Sequence, residues 1–88
     1  MAESTIDQLI TVQVRFSPGG GVQPVAFVWD QRTRYLAGLG RQWTEQVDGS
    51  EWRCFLAQTV AGDTVELRWN RQSNQWRLHR AWWRAMQV

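Results

Sequence analysis

A chain of 88 residues has room for one small domain, and ten basic side chains against eight acidic ones leave a formal net charge of only +2. That balance excludes a polybasic nucleic-acid arm, and an apolar content of 43% with 20% charged residues excludes a disordered acidic tail. Within each class the composition is skewed: every basic residue is Arg, and seven of the aromatic residues are Trp.

The first eight residues, Met1 to Gln8, are polar and carry Glu3 and Asp7, where a signal peptide would need positive charge followed by an apolar run. They read as a flexible N-terminus, and with no long apolar run anywhere in the chain the expectation is a cytoplasmic protein without a membrane span. From residue 9 the hydrophobic period is two, which predicts strands. Ile10, Val12, Val14 and Phe16 share one face of the first, with Thr11, Gln13 and Arg15 on the other. Ser17-Pro18-Gly19-Gly20-Gly21 breaks it into a loop. Val25 to Trp29 is apolar on both faces, as in a central strand, and Asp30 to Thr33 reads as a turn.

Between Arg34 and Thr44 the pattern is interrupted by Gly38 and Gly40, a spacing that predicts a bulge or bend of the kind a sheet needs to coil. After a turn at Val47 to Ser50, Trp52, Cys54, Leu56 and Val60 alternate with polar neighbours and are expected to face inward, leaving Phe55 as an exception on the outer face. A tight connection at Ala61-Gly62-Asp63 leads to Val65, Leu67 and Trp69. A loop over Asn70 to Asn74 then returns the chain through Trp76 and Leu78. The reading is an all-β fold, a strongly twisted antiparallel meander of five to six strands closing into a small SH3-like or half-open barrel over residues 9–84, with a tail at 85–88.

Candidate chemistry is sparse. Cys54 and His79 are the residue types most used as nucleophile and base near neutral pH, but the alternation puts Cys54 inside and His79 outside. The acids Glu45, Asp48, Glu51, Asp63 and Glu66 mostly lie in turns and form no paired spacing for acid and base catalysis. Gly19-Gly20-Gly21 leads into a strand, whereas a phosphate loop leads into a helix. A single cysteine forms no intrachain disulfide, and no Cys/His set suggests zinc, so the expectation is a non-enzymatic domain with no cofactor and no metal.

Charge position says more than total charge. The segment Arg68 to Val88 contains five Arg and no acid. There Arg68, Arg71, Arg77, Arg80 and Arg84 interleave with Trp69, Trp76, Trp82 and Trp83, and Arg can hold phosphate and stack on bases while aromatic platforms on curved sheets bind single strands. Trp69 and Trp76 share parity with Val65, Leu67 and Leu78 and read as core, as do Trp29 and Trp52. Trp82 and Trp83 are adjacent in a strand and cannot both point inward.

The succession Phe27-Val28-Trp29, Arg34-Tyr35-Leu36, Arg41-Gln42-Trp43, Val65-Glu66-Leu67 and Trp76-Arg77-Leu78, followed by Arg80 and the Trp82-Trp83 pair, resembles an uncharacterised family of small bacterial all-β domains. These stand alone or are appended to error-prone DNA polymerase-like proteins. The resemblance covers roughly Val12 to Trp83 and implies an accessory module near nucleic-acid metabolism, with no catalytic residues to carry over.

Two functions are expected from these features. The first is weak binding of single-stranded nucleic acid through Arg68, Arg71, Arg77, His79, Arg80, Trp83 and Arg84. The second is a protein-interaction or self-association domain anchored on Trp82, Trp83 and Met86. The partners expected are single-stranded nucleic acid, a DNA-metabolism protein, or a second copy in a homodimer, with no membrane.

Overall fold

The chain reverses where its residues tolerate positive φ. Asp48 and Gly49 (φ 50° and 79°) and Asp30 and Gln31 (φ 53° and 63°) have the paired left-handed conformations of two-residue type I′ turns, whose twist matches that of the flanking strands. At the turn after Thr59 its amide donates to the carbonyl of Asp63 at 2.8 Å, and that of Gly62 (φ 98°) donates to the Thr59 carbonyl at 2.9 Å. In the last loop Asn70 Oδ1 accepts from the amides of Gln72 and Ser73 at 3.0 and 3.1 Å, a side chain standing in for a backbone acceptor.

A computed structural model describes residues 3–84, and every regular element among them is a strand. These are β1 (Glu3–Phe16), β2 (Val22–Trp29), β3 (Arg32–Val47), β4 (Ser50–Thr59), β5 (Thr64–Asn70) and β6 (Gln75–Trp82). Each pairs antiparallel with the next, and β1 returns to β6, so the meander closes into a six-stranded barrel. The all-β reading holds, and the strand order closes on itself.

Two long strands make closure possible by changing partners along their length. β1 pairs with β6 from Glu3 to Ile10 and with β2 from Thr11 to Phe16. β3 pairs with β2 from Arg32 to Tyr35 and with β4 from Leu36 onward. Register shifts mark both bends, at Thr5/Gln8 and Gln13/Val14 in β1 and at Leu36/Gly38 and Leu39/Gln42 in β3. The bend expected at Gly38 and Gly40 is therefore present, built from extra residues in one strand.

Phe27, Phe55, Ala57, Val65, Leu67, Trp76, Leu78 and Ala81 form the enclosed core, and Ile10, Val12, Val14, Val22, Trp29, Trp69 and Trp83 pack against it. Burying side chains the size of Phe55 or Leu67 contributes about 1.5–3 kcal/mol each, the main favourable term in so small a domain.

Two expectations are corrected. Phe55 and Ala57 face the core, so the inward face of β4 is the opposite of the one expected; Trp52, Cys54 and Leu56 point outward, and Val60 is 72% exposed in the turn. Cys54 is nevertheless buried, because its cross-strand neighbours Trp43 and Arg68 flank it on the outer face. The N-terminal segment is not a loose leader from Glu3 onward: it forms the β1 half of the closing seam, with Ile6 packed on the core. Met86 and the tail at 85–88 lie outside the described residues.

Candidate functional site at the barrel mouth

The C-terminal arginines are acid-free only along the sequence. On the outer face of β5 and β6, Arg68 Nη2 donates to Glu45 Oε1 at 2.7 Å and its Nε lies 3.4 Å from Glu66 Oε2. Arg80 lies 3.3 Å from Glu3 Oε2 and 3.6 Å from Glu66 Oε1. Arg77 donates to the Asp7 carbonyl at 3.1 Å and lies 3.6 Å from its carboxylate, which is also 3.4 Å from His79 Nδ1. Four acids from β1, β3 and β5 thus meet Arg68, Arg77, Arg80 and His79, and this face carries no surplus positive charge for phosphate.

The remaining expected residues are spread apart. Arg71 sits in the β5–β6 loop at one end of the barrel, while Trp83 and Arg84 follow β6 at the other. The eight residues of β6 put roughly 25 Å between the two ends. Trp83 packs on the core beneath the guanidinium of Arg34, 5.0 Å from its ring, and the Arg84 amide donates to buried Asp63 at 2.7 Å. Trp82, as the parity argument requires, is not among the side chains packed on the core, and both indoles are half-buried.

The residues that do converge are at the Arg71 end. Cross-strand pairing sets Thr44, Arg53, Trp69, Trp76 and Ile10 side by side as one layer of the inner face across β3, β4, β5, β6 and β1. Beyond it the barrel wall is incomplete. Past Ala26 the first half of β2 has no partner on its β3 side, and past Ile10 the second half of β1 has none on its β6 side. The β1–β2 hairpin from Thr11 to Val25 consequently projects over the mouth with a cleft along each edge, and Val22 and Trp69 line both clefts.

The two clefts differ in chemistry. The one along β2 holds about 290 Å³ and is polar, lined by Gln23, Gln42, Thr44, Arg53, Arg71, Glu51 and the backbone of Gly20 and Gly21. The one along β1 holds about 390 Å³ and is mainly apolar, lined by Ile10, Val12, Val14, Phe16 and Trp76, with Asn74 and Gln75 at its polar side. Trp69 stacks on Trp76 with ring centroids 5.8 Å apart and planes 21° apart, and its Nε1–H donates to Asn74 Oδ1 at 2.9 Å. The indole is thereby fixed from its inner side and its edge. Arg53 extends over the Phe55 ring, 5.6 Å from the centroid, and donates to Gln42 Oε1 at 3.0 Å. Among the described residues neither Arg53 nor Arg71 has an ion-pair partner.

Of this set the sequence pattern picks out only Arg71. Parity assigns Trp69 to the core, where one side of it belongs, and Arg53 to the outer face. The signal that would find Arg53 is the parity of Phe55 and Ala57, which places it on the same inward side.

A second cluster, on the outer face, brings one potential ligand atom each from Glu45, Cys54 and Glu66 within 4.8 Å of one another. The Arg68 guanidinium already neutralises both carboxylates, and burial pushes the Cys54 thiol up to about 11, so it stays protonated near neutral pH. The Trp43 Nε1–H donates to Glu45 Oε2 at 2.8 Å and, with Arg68 beside it, holds this carboxyl below its ordinary 4.5. The arrangement is an ion-paired coat over β4 and β5, not a nucleophilic centre.

Set against protein-family models, curated proteins and solved structures, the chain has no match.

Proposed function

We propose that the barrel is a non-enzymatic module that binds single-stranded nucleic acid at the mouth between the β1–β2 hairpin and the ends of β4 and β5. The observation that carries this reading is the immobilised Trp69 indole beside Arg53 and Arg71, two guanidinium groups that outnumber Glu51, the one acid lining the cleft, and form no ion pair with it. A fixed aromatic plane stacks any base with little ordering cost, and unpaired guanidinium groups release counterions when they meet phosphate. The glutamines of the same cleft offer donors and acceptors to base edges without imposing one sequence. The ion-paired face of β5 and β6 takes no part, because its charges are already matched.

Anisotropy of a labelled oligothymidylate, titrated with the full chain at about 50 and about 200 mM salt, tests the reading. Binding is expected at low salt and weakens as salt rises. Arg71→Ala reduces the log–log salt slope by about 0.7 for each phosphate that is no longer neutralised, while Arg77→Gln leaves it unchanged. No binding at low salt, or equal losses in the two variants, overturns the proposal.

A further inference from the structure

The apolar cleft along β1 has no part in the binding just described, yet it opens on the opposite side of the same Trp69 and Val22 pair. Its floor is Ile10, Val12, Val14 and Val22, which also pack against the core, so the depression is part of the folded barrel. At its rim Phe16 is 72% exposed and Leu9 55% exposed, the only large apolar side chains this exposed on β1. Its volume of about 390 Å³ falls in the range of about 300–1000 Å³ usual for small-ligand sites. Its polar lining is the Thr11 hydroxyl on β1 and the two amide side chains of Asn74 and Gln75, which lie together on the β5–β6 side and suit a flat apolar ligand with hydrogen-bonding groups along one edge.

We propose that this cleft is a second base subsite: the base adjoining the one held at Trp69 inserts between the Phe16 ring and the valine floor, its polar edge toward Gln75. The inference rests on the nucleic-acid reading above and adds a binding register to it. The choice of a nucleobase over an unrelated apolar ligand follows from charge. The neighbouring cleft supplies Arg53 and Arg71 for phosphate, and both clefts share Val22 and Trp69, so one strand crossing the mouth sets a phosphate on one side of that divide and a base on the other. Exposed aromatic side chains are the usual partners of such bases, and each stack commonly changes affinity by roughly ten-fold.

The test uses the full chain with two labelled oligomers of equal length, oligothymidylate and its abasic sugar–phosphate counterpart, each titrated against wild type, Phe16→Ala and Gln75→Leu. Both positions are exposed, so the variants leave the core intact. Wild type is expected to bind the abasic strand at least about ten-fold more weakly than oligothymidylate. Phe16→Ala loses about ten-fold on oligothymidylate and nothing on the abasic strand, and Gln75→Leu loses less, again only where bases are present. If Phe16→Ala affects neither strand, or both equally, the base subsite is wrong while strand binding at Arg53 and Arg71 stands. If neither oligomer binds wild type at low salt, the underlying reading fails as well.

Discussion

Glu45 shows how single side chains on the outer face are coupled to folding. Its carboxylate accepts from the Trp43 indole and from Arg68, and its folded pKa is held below 4.5. The unfolded chain therefore takes up a proton at this position before the folded barrel does. The stabilisation is fully present above 4.5 and is lost as pH falls through the lower folded value. Urea unfolding of wild type and Glu45→Gln between neutral pH and pH 3 checks this: the wild-type midpoint is expected to drop more steeply than that of the variant, whose amide does not titrate. Parallel curves would mean that the carboxylate gains nothing from its two partners. The group is 38% exposed, so the difference is modest, in line with the small worth of solvent-accessible ion pairs.

At the scale of elements, the turns carry information that the sequence states openly and one feature it hides. Asp48-Gly49 is a favoured type I′ pair, legible from its letters, but the equivalent turn between β2 and β3 is Asp30-Gln31, with Gln31 at φ 63° and no glycine. Holding a side-chain-bearing residue in the left-handed region costs roughly 1 kcal/mol, and a glycine there removes most of it. Gln31→Gly is expected to stabilise the barrel by about 0.5–1 kcal/mol, read as a higher urea midpoint at unchanged slope; a lower midpoint would contradict the turn geometry. Strand order and turn positions are readable in this way because period two and turn chemistry are local. The inward face of β4 is not. Trp52, Cys54 and Leu56 on one side and Phe55 and Ala57 on the other are both plausible cores, and only the pairing of Trp43 and Arg68 around Cys54 decides between them. The ion pairing of Arg68, Arg77 and Arg80 is hidden for the same reason, since the counter-charges Glu3, Asp7 and Glu45 arrive from strands remote in sequence. The mouth is hidden because parity separates inside from outside but does not say where along a barrel the inside stops.

For the whole molecule the decisive feature is the seam between β1 and β6, which joins strands from opposite ends of the described chain. Closing it orders the longest loop the fold contains, so it is expected to form late and to be slow, as non-local pairing in barrels generally is. It also does more than pair backbones. Glu3 to Gln8 bring Ile6 to the core, Glu3 to Arg80, and Asp7, in a left-handed bulge at φ 53°, to both Arg77 and His79. Without them β6 becomes a sheet edge on which Arg77 has lost its acid and Arg80 keeps only Glu66, and β1 retains only Leu9 and Ile10 as partners for it. Removing residues 1–8, a segment whose polar composition suggests it is dispensable, is therefore expected to lower the melting temperature by more than about 10 °C or abolish a cooperative transition, followed by circular dichroism. Asp7→Asn in the full chain, which keeps the strand but weakens the charge pairs, should shift melting by only about 4–8 °C or less. A truncated chain that melts cooperatively near the full-length temperature would show that the remaining strands hold the barrel without its seam.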